Sequence, residues 1–143
     1  MKKVIILAGV SGTGKTHARL NDPELKDLPY VDIAEIYERW PEFDWYEALH
    51  ALLKHARFLL QKYDTILIEG YFLPHSRSRS ILIDDMRVAG TKVVFREFWS
   101  PFEVCQERIL SQWERGEISA AVCKTRIEML KRCWSPAPPG VEG

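Results

Sequence analysis

The residues at 9–16 read Gly9-Val10-Ser11-Gly12-Thr13-Gly14-Lys15-Thr16 and satisfy the pattern GxxxxGK[ST]. The spacing has a physical reason. Glycines let the chain turn tightly, so that successive backbone N–H groups and the positive end of a following helix converge on one concavity. A polyphosphate suits that concavity. Lys15 is expected to reach its β- and γ-phosphates and the Thr16 hydroxyl to ligate Mg²⁺, with the contact stretch running from Gly9 to His17. The aliphatic run Val4-Ile5-Ile6-Leu7-Ala8 before the loop predicts a buried strand, and Lys15 to Leu20 predicts a helix.

Two carboxylates and two arginines extend the chemistry. Asp32 lies at the end of a short strand pattern, where it accepts a proton from a substrate hydroxyl, holds a water on Mg²⁺, or caps the helix beginning at Ile33; Glu35 is its fallback. Glu69 closes the near-continuous aliphatic run Thr65-Ile66-Leu67-Ile68. An acid at the end of a buried strand needs a partner: Mg²⁺, Lys15 or an arginine. Arg108 and Arg115 are two helical turns apart and precede Gly116, so both can project from one face over the phosphates. Ser76-Arg77-Ser78-Arg79-Ser80, with Tyr71 or Phe72 as a stacking face, reads either as an anion-binding loop or as a polar helix start. The four histidines have no metal-ligand spacing with one another.

The elements that must position these residues follow from periodicity. Strands are expected at Val4–Ala8, Tyr30–Ile33, Thr65–Glu69 and Lys92–Phe98. The intervening helices are expected after Asp44 (a capping box with Glu47), over Pro74–Ala89, from Pro101, and over Ile118–Trp134. Aliphatic strands alternating with helices give a parallel sheet covered on both faces, with ligands beyond the carboxyl ends of the strands. Gly9–Thr16, Asp32 and Glu69 then share one rim.

With 143 residues the chain has room for one domain, expected over 1–134, and a Pro/Gly-rich tail over 135–143. An apolar fraction of 46% and a charged fraction of 28% are those of a soluble globular protein, and no run is long enough to span a membrane. Cys105, Cys123 and Cys133 are odd in number and lack CxxC spacing, which points to buried reduced thiols and a cytoplasmic setting. Net charge is zero but unevenly placed: residues 21–48 hold nine acids against Lys26 and Arg39, a local balance of −7. Zero net charge supplies no global attraction to nucleic acid.

Taken together, the loop, the strand-then-aspartate element Tyr30-Val31-Asp32 and the paired Arg108 and Arg115 before Gly116 resemble the small P-loop kinases: shikimate and gluconate kinases, zeta-toxin-like kinases and phage-type polynucleotide kinases. The resemblance runs from Val4 to about Arg132. It implies a three-layer, nucleotide-kinase-like α/β fold with a parallel sheet of four to five strands. It also implies ATP and Mg²⁺ as cofactors, Arg108 near the adenine and Arg115 on a lid above the phosphates. Lys15, Asp32 and Arg115 would then be catalytic, and Thr16 and Glu69 would order the metal. The chain departs from these families at Glu35, Ala34 and Glu69-Gly70-Tyr71, and a fifth strand after the lid is hard to find. The expected activity is transfer of a γ-phosphoryl group to a hydroxyl, on a nucleic-acid 5′ end or on a small sugar or polyol. A regulatory module that only binds or hydrolyses ATP is the rival.

Overall fold

The computed structural model describes residues 1–136. Ten elements follow one another: β1 (Lys3–Ala8), α1 (Lys15–Asn21), β2 (Tyr30–Asp32), α2 (Ile33–Arg39), α3 (Trp45–Leu60), β3 (Thr65–Gly70), α4 (Arg77–Val88), β4 (Lys92–Glu97), α5 (Phe102–Glu114) and α6 (Ala120–Cys133). The strands form one parallel sheet in the order β2-β3-β1-β4.

Period-two alternation divides the aliphatic runs between the two faces of the sheet. Val4, Ile6, Ala8, Val31, Ile66 and Ile68 pack with Leu49, Leu52 and Leu53 of α3 and Leu82 and Met86 of α4. Ile5, Leu7 and Leu67 face the other way, against Leu25, Ala18 and Leu28. A third cluster joins Val10 of the glycine-rich loop to Cys105 and Ile109 of α5 and Cys123 and Leu130 of α6. The sheet core and the loop are thus packed by different helices.

The strand order sets where a ligand belongs. From β1 the chain crosses past β3 to reach β2, whereas from β3 it crosses past β1 to reach β4. The connections therefore diverge between β1 and β3, and the crevice beyond their carboxyl ends is the natural binding place in such a sheet. Register puts Ala8 beside Gly70 and Asp32 beside Glu69, so the loop and both carboxylates do share that rim.

The sheet has four strands among the described residues, the lower end of the expectation. The helix expected over Pro74–Ala89 starts later, at Arg77, because His75 adopts a left-handed φ of 65° and Ser76 supplies the cap, accepting from Arg79 N at 3.2 Å. The expected capping box is present: Asp44 accepts from Glu47 N at 2.8 Å, and Glu47 accepts from Asp44 N at 3.1 Å. All three cysteines are free thiols; Cys105 and Cys123 are buried and Cys133 is half-buried. Of the expected tail over 135–143, residues 137–143 lie outside the described residues; the Ser135 carbonyl accepts from Trp99 Nε1 at 2.9 Å. No helix among the described residues is long and apolar enough to cross a membrane.

Candidate active site

At the end of β1 the chain turns through Gly9, Gly12 and Gly14, all at positive φ, and enters α1 from Gly14 with no side-chain cap. The first-turn amides of α1 are therefore left without the usual side-chain acceptor, as an anion cradle requires. Thr13 Oγ1 donates to Val10 O at 2.8 Å and holds the turn from within. Lys15 is folded back on its own loop. Its ammonium donates to Gly9 O and, at 3.3 Å, to Val10 O, and lies 5.1 Å from the centre of the Tyr71 ring. Burial lowers the Lys15 pKa to about 8, against the opposing pull of Glu69 and Asp32.

A cavity of about 700 Å³ opens beyond these strand ends, lined by Ser11 to His17 of the loop and by Asp32, Glu69, Tyr71 and Arg108. Glu69 is 3% exposed, and both its oxygens are engaged: Oε1 accepts from Thr16 Oγ1 at 2.6 Å and Oε2 from Arg19 Nε at 2.9 Å. The partner that the buried Glu69 carboxylate needs is thus an arginine. Arg19 is itself buried, with its guanidinium 3.8 Å from the Tyr30 ring centre. Burial opposes its charge, but the Glu69 hydrogen bond and charge outweigh that and raise its pKa. Replacing Arg19 by Met leaves a buried carboxylate uncompensated. The expected cost is about 3 kcal/mol, read as a fall of roughly 10 °C in Tm for a domain of this size; an unchanged melting curve would contradict this pairing.

Asp32 serves the cap that its sequence position allowed: Oδ1 accepts from Ala34 N at 2.9 Å. It also lines the cavity, so the two readings are compatible. Burial, followed by the Glu69 charge, pushes its pKa up to about 7. Glu35, the fallback, points away to accept from Tyr30 OH at 2.9 Å and does not line the cavity.

On the β4 side, Arg108 donates to Gly12 O at 2.9 Å and Ser100 Oγ at 3.2 Å, tying α5 to the loop. Arg115 ends α5, is exposed, and pairs with Glu117 at 2.8 Å; both arginines line the cavity, but only Arg108 touches the loop. His17 sits at the rim against Asn21. The Ser76–Ser80 segment is a polar helix start. Arg79 pairs with Glu97 and donates to Phe72 O, and Arg77 stacks near Trp45. Phe72 is buried in the core and offers no stacking face, whereas Tyr71 reaches the cavity, its hydroxyl 2.9 Å from Ser11 Oγ.

Three residues escaped the sequence reading. Arg19 carried a signal, since it lies four positions after Lys15 and shares its face of α1. Gln112 and Arg126 carried none: Arg126, on α6, crosses the cavity to Gln112 Oε1 at 3.3 Å and to Glu38 Oε1 of α2 at 3.0 Å, a partner 88 residues away.

No protein-family model and no curated protein sequence matches the chain. Its likenesses are to solved structures. A candidate kinase from Chloroflexus aurantiacus superposes with a TM-score of 0.69 at 18% identity, covering 99% of this chain and 84% of that one. A gluconokinase from Sinorhizobium meliloti gives 0.60 at 17% identity over 96% and 77%. A chain of the Pnkp1/Rnl/Hen1 RNA repair complex gives 0.58 at 19% identity, over 99% of this chain but 50% of that one. The fold is that of the small P-loop kinases.

Proposed function

We propose that the protein is an ATP- and Mg²⁺-dependent kinase that transfers the γ-phosphoryl group to an acceptor hydroxyl. One observation carries the reading: the glycine-rich loop with Lys15, the Thr16–Glu69 pair and the buried Asp32 carboxylate all line one cavity. The loop amides and Lys15 would hold the phosphates, with Arg108 beside them and Arg115 at the mouth able to neutralise developing charge.

The donor set fits Mg²⁺ brought in by the nucleotide. Thr16 and Glu69 offer hard oxygens at hydrogen-bond distance from each other, and the described residues hold no group of three His, Cys, Asp or Glu that would bind a cation alone. When bound, the ion would draw charge from the transferring phosphoryl oxygens. Asp32 would orient the acceptor hydroxyl and take its proton; a carboxyl whose pKa stands at about 7 is well matched to that task near neutral pH.

Asp32→Asn tests this against the ATP-hydrolysing alternative. Asn keeps the cap, so nucleotide binding should persist while label transfer from γ-labelled ATP to acceptor falls about a hundredfold or more. Unchanged ATP turnover would instead favour the regulatory module. The same variant has a stability signature. The Asp32 carboxyl titrates near 3.8 when unperturbed and at about 7 in the fold. The folded state therefore keeps the proton longer, and this group's stabilising contribution is full below about pH 4 and lost as pH rises through 7. Asp32→Asn should raise Tm by several degrees at pH 8 and leave it unchanged at pH 4.

The structure weakens the support for a nucleic-acid acceptor. Arg79, one of the two arginines that favoured it, is tied to Glu97 and Phe72 O. A small sugar or polyol is the better-supported acceptor, and the likeness to a gluconokinase agrees with that size class.

A further inference from the structure

Building on the kinase reading, we propose that the acceptor is an uncharged or amino-substituted polyhydroxylated molecule of sugar size, and that Glu38 bars anionic acceptors by occupying Arg126. The acceptor side of the cavity is its β2–β3 end, at Asp32. There it presents the Asp32 carboxylate, the Ser11–Tyr71 hydroxyl pair at 2.9 Å and Gln112, whose Oε1 is engaged by Arg126. Hydroxyl, amide and carboxylate groups at one end of a cavity are suited to exchanging hydrogen bonds with a substrate that carries several hydroxyls.

Charge decides the class. The lysine and arginines that line the cavity are each engaged: Lys15 with the Gly9 and Val10 carbonyls, Arg108 with Gly12 O, Arg115 with Glu117, and Arg126 with Glu38 at 3.0 Å. Arg19 lies outside the lining, against Glu69 at 2.9 Å. Asp32, by contrast, has only the Ala34 amide as a hydrogen-bond donor. The segment 21–48, which supplies both Asp32 and Glu38, carries a balance of −7. A carboxylate- or phosphate-bearing acceptor would meet like charge without a free cation to answer it, whereas a neutral or cationic one would not.

Glu38 is half-exposed on the outer turn of α2, so Glu38→Gln can free Arg126 without disturbing the core. The experiment measures MgATP-dependent ADP release from the full chain with four probes: a pentitol, an amino sugar, the pentonate of equal carbon count, and a 5′-hydroxyl oligonucleotide. In the wild type, the pentitol and amino sugar should be turned over at least about tenfold faster than the two anions. Glu38→Gln should raise kcat/KM for the pentonate about tenfold, through KM, and change that for the pentitol less than about threefold. A wild-type preference for the pentonate or the oligonucleotide would overturn the acceptor class alone. So would a Glu38→Gln variant with no gain on the pentonate. ADP release that responds to none of the four while MgATP still binds would bring down the kinase reading itself.

Discussion

If the proposed kinase activity holds, Lys15→Met is expected to lower phosphoryl transfer about 10³-fold or more and at the same time to make the nucleotide-free protein more stable. The two effects have one cause. The ammonium is buried among the Gly9 and Val10 carbonyls and over Tyr71, a position it tolerates only because the loop has no better ligand to offer until a phosphate arrives. Burial depresses its pKa from 10.5 to about 8. For a base, the unfolded chain then binds the proton more tightly than the fold between those values, so the charge costs stability below pH 8 and the cost fades as pH rises toward 10.5. Met removes the charge and keeps the volume. The net gain at pH 7 should be about 1 kcal/mol, less than the pKa change alone implies because two carbonyls lose their donor; Tm should rise by a few degrees. Repeating the melts at pH 9.5 should shrink the difference. A variant that is both inactive and less stable at pH 7 would show that Lys15 holds the empty loop together.

Asp32 behaves in the same sense, since it too is buried with a pKa moved toward the neutral form. The site thus concentrates two ionisable groups that the fold alone would rather have uncharged, while the neighbouring Arg19–Glu69 pair is compensated within itself. A site whose charges wait for a substrate is expected to trade stability for function in this way.

How much of this could be read from the chain depended on the range of each interaction. β1, the loop and α1 are contiguous, so pattern and spacing gave their boundaries nearly to the residue. The rim shared by Asp32 and Glu69 followed from a rule about parallel sheets and needed no knowledge of strand order. The start of α4 was misplaced by three residues because the left-handed turn at His75 has no glycine to announce it. Helical spacing puts Arg115 on the cavity, which it lines, but the partner it takes there is Glu117, two residues away, a local ion pair that helical periodicity does not register. Arg126 lay beyond reach altogether, since its partners sit on α2 and α5 and only the folded chain brings those helices to one cavity.

The motif glycines make a sharper test than composition alone suggests, because they are not equivalent. Gly12 has φ +82°, and a Cβ there would stand 2.6 Å from the Cys105 carbonyl oxygen and 2.8 Å from its Cα. Those atoms are backbone in α5, fixed by the cluster of Val10, Cys105, Ile109, Cys123 and Leu130 and by the bond from Arg108 to Gly12 O. Gly12→Ala must therefore bend the loop or push the helix away. Left-handed strain of about 1–2 kcal/mol adds to overpacking of similar size, so the fold should lose about 3 kcal/mol and roughly 10 °C of Tm. Nucleotide affinity should fall by about two orders of magnitude, since the amides proposed to cradle the phosphates move with the loop. Gly116→Ala is the matched control: its φ is +72°, but nothing lies within 4 Å of the added carbon. It should cost about 1 kcal/mol and leave nucleotide affinity unchanged. If the two variants melt and bind alike, α5 is not what shapes the loop, and the coupling between helix and phosphate cradle has to be given up.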